Sequence, residues 1–114
     1  MDYGMIMGLV VISIVSLIMI LIGVFQFVKK DVPVGFYNII EPPKKDEITD
    51  IIQWNRKHGV IWIMYGICIE LGFWLGYLMP VEILEMIFMM GGVIIPLPFM
   101  VLRHRSLERK YYRH

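Results

Sequence analysis

Between Gly4 and Val28 there is not one charged side chain, and from Gly59 to Leu102 the only charges are Glu70, Glu82 and Glu85. Charge this scarce over such lengths excludes an ordinary water-soluble domain, whose charged residues are spread along the chain. Cysteine is nearly missing too. The single Cys68 excludes an internal disulfide, and inside an apolar helix it reads as a buried thiol. Also lacking are a zinc-ligand spacing, a phosphate-binding glycine loop, a nucleophile elbow and a pair of carboxylates set in a cleft. The sequence therefore points to no enzyme, no metal site and no cofactor. No internal repeat, low-complexity tract or second domain is visible in 114 residues.

What is present is apolar: hydrophobic residues make up 58% of the chain and charged residues 18%. Nearly all the apolar residues fall in the two windows just named. The first, about 25 residues long, exceeds the roughly 20 needed to cross a hydrocarbon core about 30 Å thick. The second, about 44 residues, suits two crossings joined by a tight turn. Pro80 lies at its midpoint, followed by Glu82 and Glu85. Proline fits a helix's first turn and carboxylates favour a helix N-terminus, so the window divides there. The expected fold is an all-α integral membrane protein, a single membrane domain with spans at about 4–28, 59–79 and 81–102. The N-terminal run is expected to stay as a helix, because no basic segment precedes it, its apolar core is too long and no small-residue cleavage site follows.

All eleven Lys and Arg residues lie on one side of this arrangement, in the loop 29–58 and the tail 103–114, while the other side carries Asp2, Glu82 and Glu85. The positive-inside rule makes the loop and C-terminus cytoplasmic and the N-terminus external, in the cell membrane. The basic tail, with Tyr111 and Tyr112, is expected to meet anionic lipid headgroups; no nucleic-acid recognition motif accompanies it.

Within the loop, Glu41-Pro42-Pro43 stops regular structure. After it, Asp46-Glu47-Ile48-Thr49-Asp50 looks like the start of a short amphipathic helix on the cytoplasmic surface, with Ile48, Ile51 and Ile52 on one face. Trp54, Asn55 and Arg56 then form a junction, and Gly59 permits a bend into the second span.

Glu70 is the residue most in need of explanation, because it falls near the middle of its span. A carboxylate there costs about 2.5–3.5 kcal/mol on insertion scales, and no Lys, Arg or His lies in any span to pair with it. Ser13 and Ser16 share a stripe with Gly23 near mid-membrane on the first span, and that stripe can face Glu70. Two roles stay open for this intramembrane polar site: handling a proton or cation, or a hydrogen-bonded packing contact. Glu70 shares its own helix face with Gly66 and Trp74, whereas Gly72 and Gly76 make a small-xxx-small pair on another side. The middle span thus has two packing faces, one for the first span and one for the third span or a second copy. In the third span, Gly91-Gly92 and Pro96-Leu97-Pro98 predict a distortion or early end.

From Gly35-Phe36 through Trp54, Asn55-Arg56 and Gly59, the chain resembles small bacterial multi-helix membrane proteins of the SdpI-like (bacteriocin-immunity-like) kind. It departs from them in its Glu-Pro-Pro-Lys-Lys insert and in having three spans. The resemblance implies a bacterial membrane protein, in some members an immunity factor against a toxic peptide. Partners expected are the lipid bilayer and a second copy or another membrane protein. The functional expectation is a non-catalytic protein acting by interaction, of immunity, regulatory or accessory-subunit type; the rival is an oligomeric transporter or channel built around Glu70.

Overall fold

The computed structural model describes residues 2–35 and 42–113. They form four α-helices and one turn of 3-10 helix: α1 (Tyr3–Val28), the 3-10 turn (Lys45–Glu47), α2 (Ile51–Tyr77), α3 (Glu82–Ile94) and α4 (Pro96–Tyr111). Three helical stretches, Tyr3–Val28, Ile51–Tyr77 and Glu82–Tyr111, are long and apolar enough to cross a membrane. They are bundled into a unit 52 Å long and 21 Å across in both other directions.

α1 begins where the Asp2 carboxylate accepts the Met5 N–H at 2.8 Å, satisfying one of the amides that a helix start leaves without a partner. Its 26 residues span about 39 Å at 1.5 Å per residue. Only Ser16 and Gly23 of this helix are buried, while Val10, Val11, Ile14, Leu17, Ile18 and Leu21 stand exposed. Such a continuous apolar outer face suits a hydrocarbon surround and would be a liability in water.

α2 runs antiparallel to α1, and the pairing is built on small residues. Gly23 lies backbone-to-backbone on Gly59, Ser16 on Gly66, and Gly8 on the ring of Phe73. On α2 the contact positions 59, 66 and 73 recur every seven residues, the repeat that keeps one seam facing a partner helix. A Cβ at Gly23 would stand 2.5 Å from the Gly59 carbonyl oxygen and 2.8 Å from the Ile63 nitrogen, so the approach requires glycine. α3 packs on the other side of α2, with Gly72 against Gly92 and Gly76 against the Glu85 carbonyl and Met89. The single α2 helix therefore uses one glycine face for each neighbour.

The loop region differs from expectation. Among the described residues no separate amphipathic surface helix forms: residues 45–47 make only the 3-10 turn, and Asp50, through its carboxylate on the Gln53 N–H at 3.1 Å, caps a helix that continues from Ile51 to Tyr77. α2 runs through Gly59 without a break, and the missing side chain there admits the close contact with α1. Ile48 is buried and Ile52 exposed, so the two do not share a covered face.

The stretch 78–81 links α2 to α3, with Glu82 and Glu85 in the first turn of α3 as expected of carboxylates near a helix N-terminus. The third stretch of spanning length is divided at Ile95, where Pro96 opens α4 without a backbone N–H to donate. The basic segment after Leu102 is not a loose tail. It continues α4 to Tyr111 and then pairs with the 3-10 region: Thr49 N–H donates to the Tyr111 carbonyl at 2.8 Å, and Arg113 N–H donates to the Glu47 carbonyl at 2.7 Å. Leu107, Tyr111, Ile48 and Trp54 thereby close the basic end of the bundle as one buried cluster.

Candidate functional site

The antiparallel register sets Ser13 beside Glu70. The serine hydroxyl donates to the Glu70 carboxylate, 3.0 Å to Oε1 and 3.3 Å to Oε2. One turn further along α2, Trp74 Nε1–H donates to the same Oε1 at 3.2 Å. Oε1 thus accepts from α1 and from its own helix. Ser16, expected beside Glu70 as well, is turned elsewhere: it is buried, and its hydroxyl donates to the Gly66 carbonyl at 2.5 Å. Hydrogen bonds between helices in a membrane average about 0.6 kcal/mol and reach about 1.7. The two serines therefore fasten α1 to α2 at adjacent levels, one through the Glu70 carboxylate and one through a carbonyl already bonded in its helix.

A second cluster gathers at the basic end, around the junction residues. Asn55 is completely buried and satisfies three backbone groups of the segment that leaves α1. Its Oδ1 accepts the Val34 N–H at 2.9 Å, and its Nδ2 donates to the Lys29 and Val32 carbonyls, each at 2.9 Å. Trp54, equally buried, donates its indole N–H to the Val34 carbonyl at 2.9 Å. Arg56 lies on the outside of α2 with its guanidinium 5.5 Å from the centre of the Phe27 ring, a cation–π contact. Gly59 and Gly66 face α1, and Gly72 and Gly76 face α3. The residues singled out from the sequence thus fall into two groups, one around Glu70 and one around Asn55, that do not meet. Phe36 lies outside the described residues.

Sequence reasoning missed His58 and His104. His58 is fully buried; its Nδ1 is 2.8 Å from the Trp54 carbonyl and its Nε2 is 2.8 Å from His104 Nδ1. His104 Nε2 in turn lies 2.6 Å from Glu108 Oε1. A carbonyl can only accept, so His58 Nδ1 carries a hydrogen, and a neutral His58 must then accept at Nε2 from His104 Nδ1–H. The short contact to Glu108 requires one more proton between His104 Nε2 and the carboxylate. With that one proton shared between His104 Nε2 and Glu108, the chain of bonds from His58 through His104 to Glu108 is complete, a three-residue polar strut between α2 and α4. Nearby, burial pushes the Tyr112 phenol above its usual range, and the Glu108 and Glu47 carboxylates push the same way. The available sequence signal was the spacing of Trp54 and His58, four apart on one helix face; nothing in the sequence joins His58 to His104.

No protein-family model matches the chain, and no curated protein and no solved structure matches it.

Proposed function

We propose that the chain is a non-catalytic protein of a bacterial cell membrane that acts by interaction, of immunity, regulatory or accessory-subunit type. Its N-terminus lies outside, and its loop and C-terminus lie in the cytoplasm, where the basic residues are. The observation that carries this reading is the use made of Glu70: an acid placed to handle ions is instead tied to Ser13 on the neighbouring helix and Trp74 on its own. In support, the basic end is an ordered platform, fastened by Asn55, His58 and His104, that displays Arg105, Arg109 and Lys110 on its exposed face. An ordered charged face is what a partner protein can recognise. The resemblance carried by Trp54, Asn55-Arg56 and Gly59 points the same way, and two of these residues are the ones that build the platform.

The rival, an oligomeric proton or cation pathway, draws on Glu70 being only partly buried within one chain. Flux separates the two. Vesicles containing the protein are expected to pass protons and monovalent cations no faster than empty vesicles, and Glu70→Gln is expected to change neither flux nor assembly state, since Gln still accepts from Ser13 and Trp74. Flux in the wild type that Glu70→Gln abolishes would overturn the interaction reading.

A further inference from the structure

At the basic end, α4 stands off from α2 and leaves a groove. α3 can press on α2 because glycines meet there, Gly72 on Gly92. Beyond the division at Ile95 no glycine pair continues this contact, and Pro96 and Phe99 take up the facing positions. The result is an open groove of roughly 550 Å³ between α2 and the first two turns of α4. Its wall on α2 is the stripe Lys57, Val60/Ile61, Met64/Tyr65 and Cys68, and its wall on α4 is Pro96, Phe99/Met100 and Arg103.

Two features of this groove define an occupant. The first is the placing of charge. Lys57 and Arg103 stand at the same end, one from each helix, and every other lining residue is uncharged. No ion pair joins either of them to an acid among the described residues. The second is length. From Lys57 to Cys68 is eleven residues of helix, about 16 Å at 1.5 Å per residue, close to the depth of one leaflet of a hydrocarbon core about 30 Å thick. A further apolar hollow of roughly 350 Å³, lined by Leu71, Leu75, Ile87 and Phe88, joins it at Cys68, Ile95 and Pro96. The polar lining of the groove is also already committed: the Tyr65 hydroxyl donates to the Val93 carbonyl at 2.9 Å, which leaves the floor apolar toward a ligand.

We propose that the groove between α2 and α4 binds one anionic phospholipid, its phosphate held between Lys57 and Arg103 and an acyl chain lying along Val60, Met64 and Phe99. Basic pockets between helices at a membrane surface bind such headgroups, and the fit here joins that charge to an apolar slot of leaflet length. The site requires insertion in a membrane but not the interaction function proposed above, and it holds whichever side of the membrane the basic end occupies.

The test is lipid retention, read by native mass spectrometry on full-length protein released from nanodiscs that contain phosphatidylglycerol and phosphatidylcholine with identical chains. Wild type is expected to retain phosphatidylglycerol over phosphatidylcholine by roughly thirtyfold, the factor two basic side chains supply near an anionic surface. Lys57→Gln with Arg103→Gln is expected to abolish the preference, and Lys57→Arg with Arg103→Lys to keep it. Lys30→Gln with Arg105→Gln, which removes equal charge from the same end outside the groove, is expected to leave it intact. Val60→Trp, which fills the slot, is expected to lower retention of both lipids. Equal loss in the two Gln pairs, or no preference in wild type, overturns the proposal; circular dichroism of each variant separates these results from misfolding.

Discussion

Replacing Gly23 by alanine adds one methyl group at the tightest point between α1 and α2, and the geometry gives the consequence. The new Cβ would lie 2.5 Å from the Gly59 oxygen, 2.6 Å from Ile63 Cγ1 and 2.8 Å from the Ile63 nitrogen, where ordinary contact begins at 3.4 Å. Two of these neighbours are backbone atoms and cannot rotate away. Widening the closest contact from 2.5 to 3.4 Å moves the helices apart by 0.9 Å at this level. Overpacking of this kind costs about 1–3 kcal/mol. The same movement stretches the Ser16 and Ser13 hydrogen bonds, at about 0.6 kcal/mol each. Against this stands the better helix propensity of alanine, up to about 1 kcal/mol. Gly23→Ala is therefore expected to destabilise the folded bundle by about 2 kcal/mol. Gly8→Ala is the control, because its Cβ would meet only the Phe73 ring edge at 3.5 Å, an ordinary contact; it is expected to be neutral or stabilising by up to about 1 kcal/mol. Unfolding in mixed micelles by titration with sodium dodecyl sulfate, followed by tryptophan fluorescence, measures both. Combined Gly23→Ala and Gly59→Ala should cost less than the sum of the single changes, since the first already separates the helices. If Gly23→Ala and Gly8→Ala have equal stabilities, the close-packed seam does not exist as described.

Two further outcomes are expected at the basic end. Asn55→Ala strands the Val34 N–H and removes the donor to the Lys29 and Val32 carbonyls; a loss of about 2–3 kcal/mol and faster hydrogen exchange at the Val34 amide should follow, and unchanged exchange there would show that the Asn55 latch is not what holds this segment. Nitrogen-15 NMR near neutral pH should find His58 neutral with its hydrogen on Nδ1 and His104 with a hydrogen on Nδ1; a bare Nδ1 on either ring would contradict the strut.

How far the sequence discloses this structure depends on the distance over which each cause acts. The apolar runs are local, so three helices of spanning length could be read directly. The approach of Ser13 to Glu70 was legible as well, because a polar group near the middle of one long apolar helix must seek another at the same level on its neighbour. Ser16 shows the limit of that reasoning: it shares the stripe, but its hydroxyl finds a backbone carbonyl, which no sequence marks. The acidic run 46–50 resembles a helix start, yet only Asp50 caps one. Gly59 looks like a hinge when α2 is considered alone and becomes a contact point only when α1 is laid against it. The His58–His104–Glu108 strut depends on α4 turning back onto the start of α2, a packing outcome between residues 46 apart in the chain.

The account rests above all on three crossings with the basic end in the cytoplasm. Single-cysteine proteins, Asp2→Cys and Arg113→Cys, each made in a Cys68→Ala background, can be labelled on intact bacterial protoplasts with a membrane-impermeant maleimide. The account predicts labelling at position 2 before lysis and at position 113 only after it. Labelling of both positions from the same side, or of position 113 alone before lysis, would contradict it.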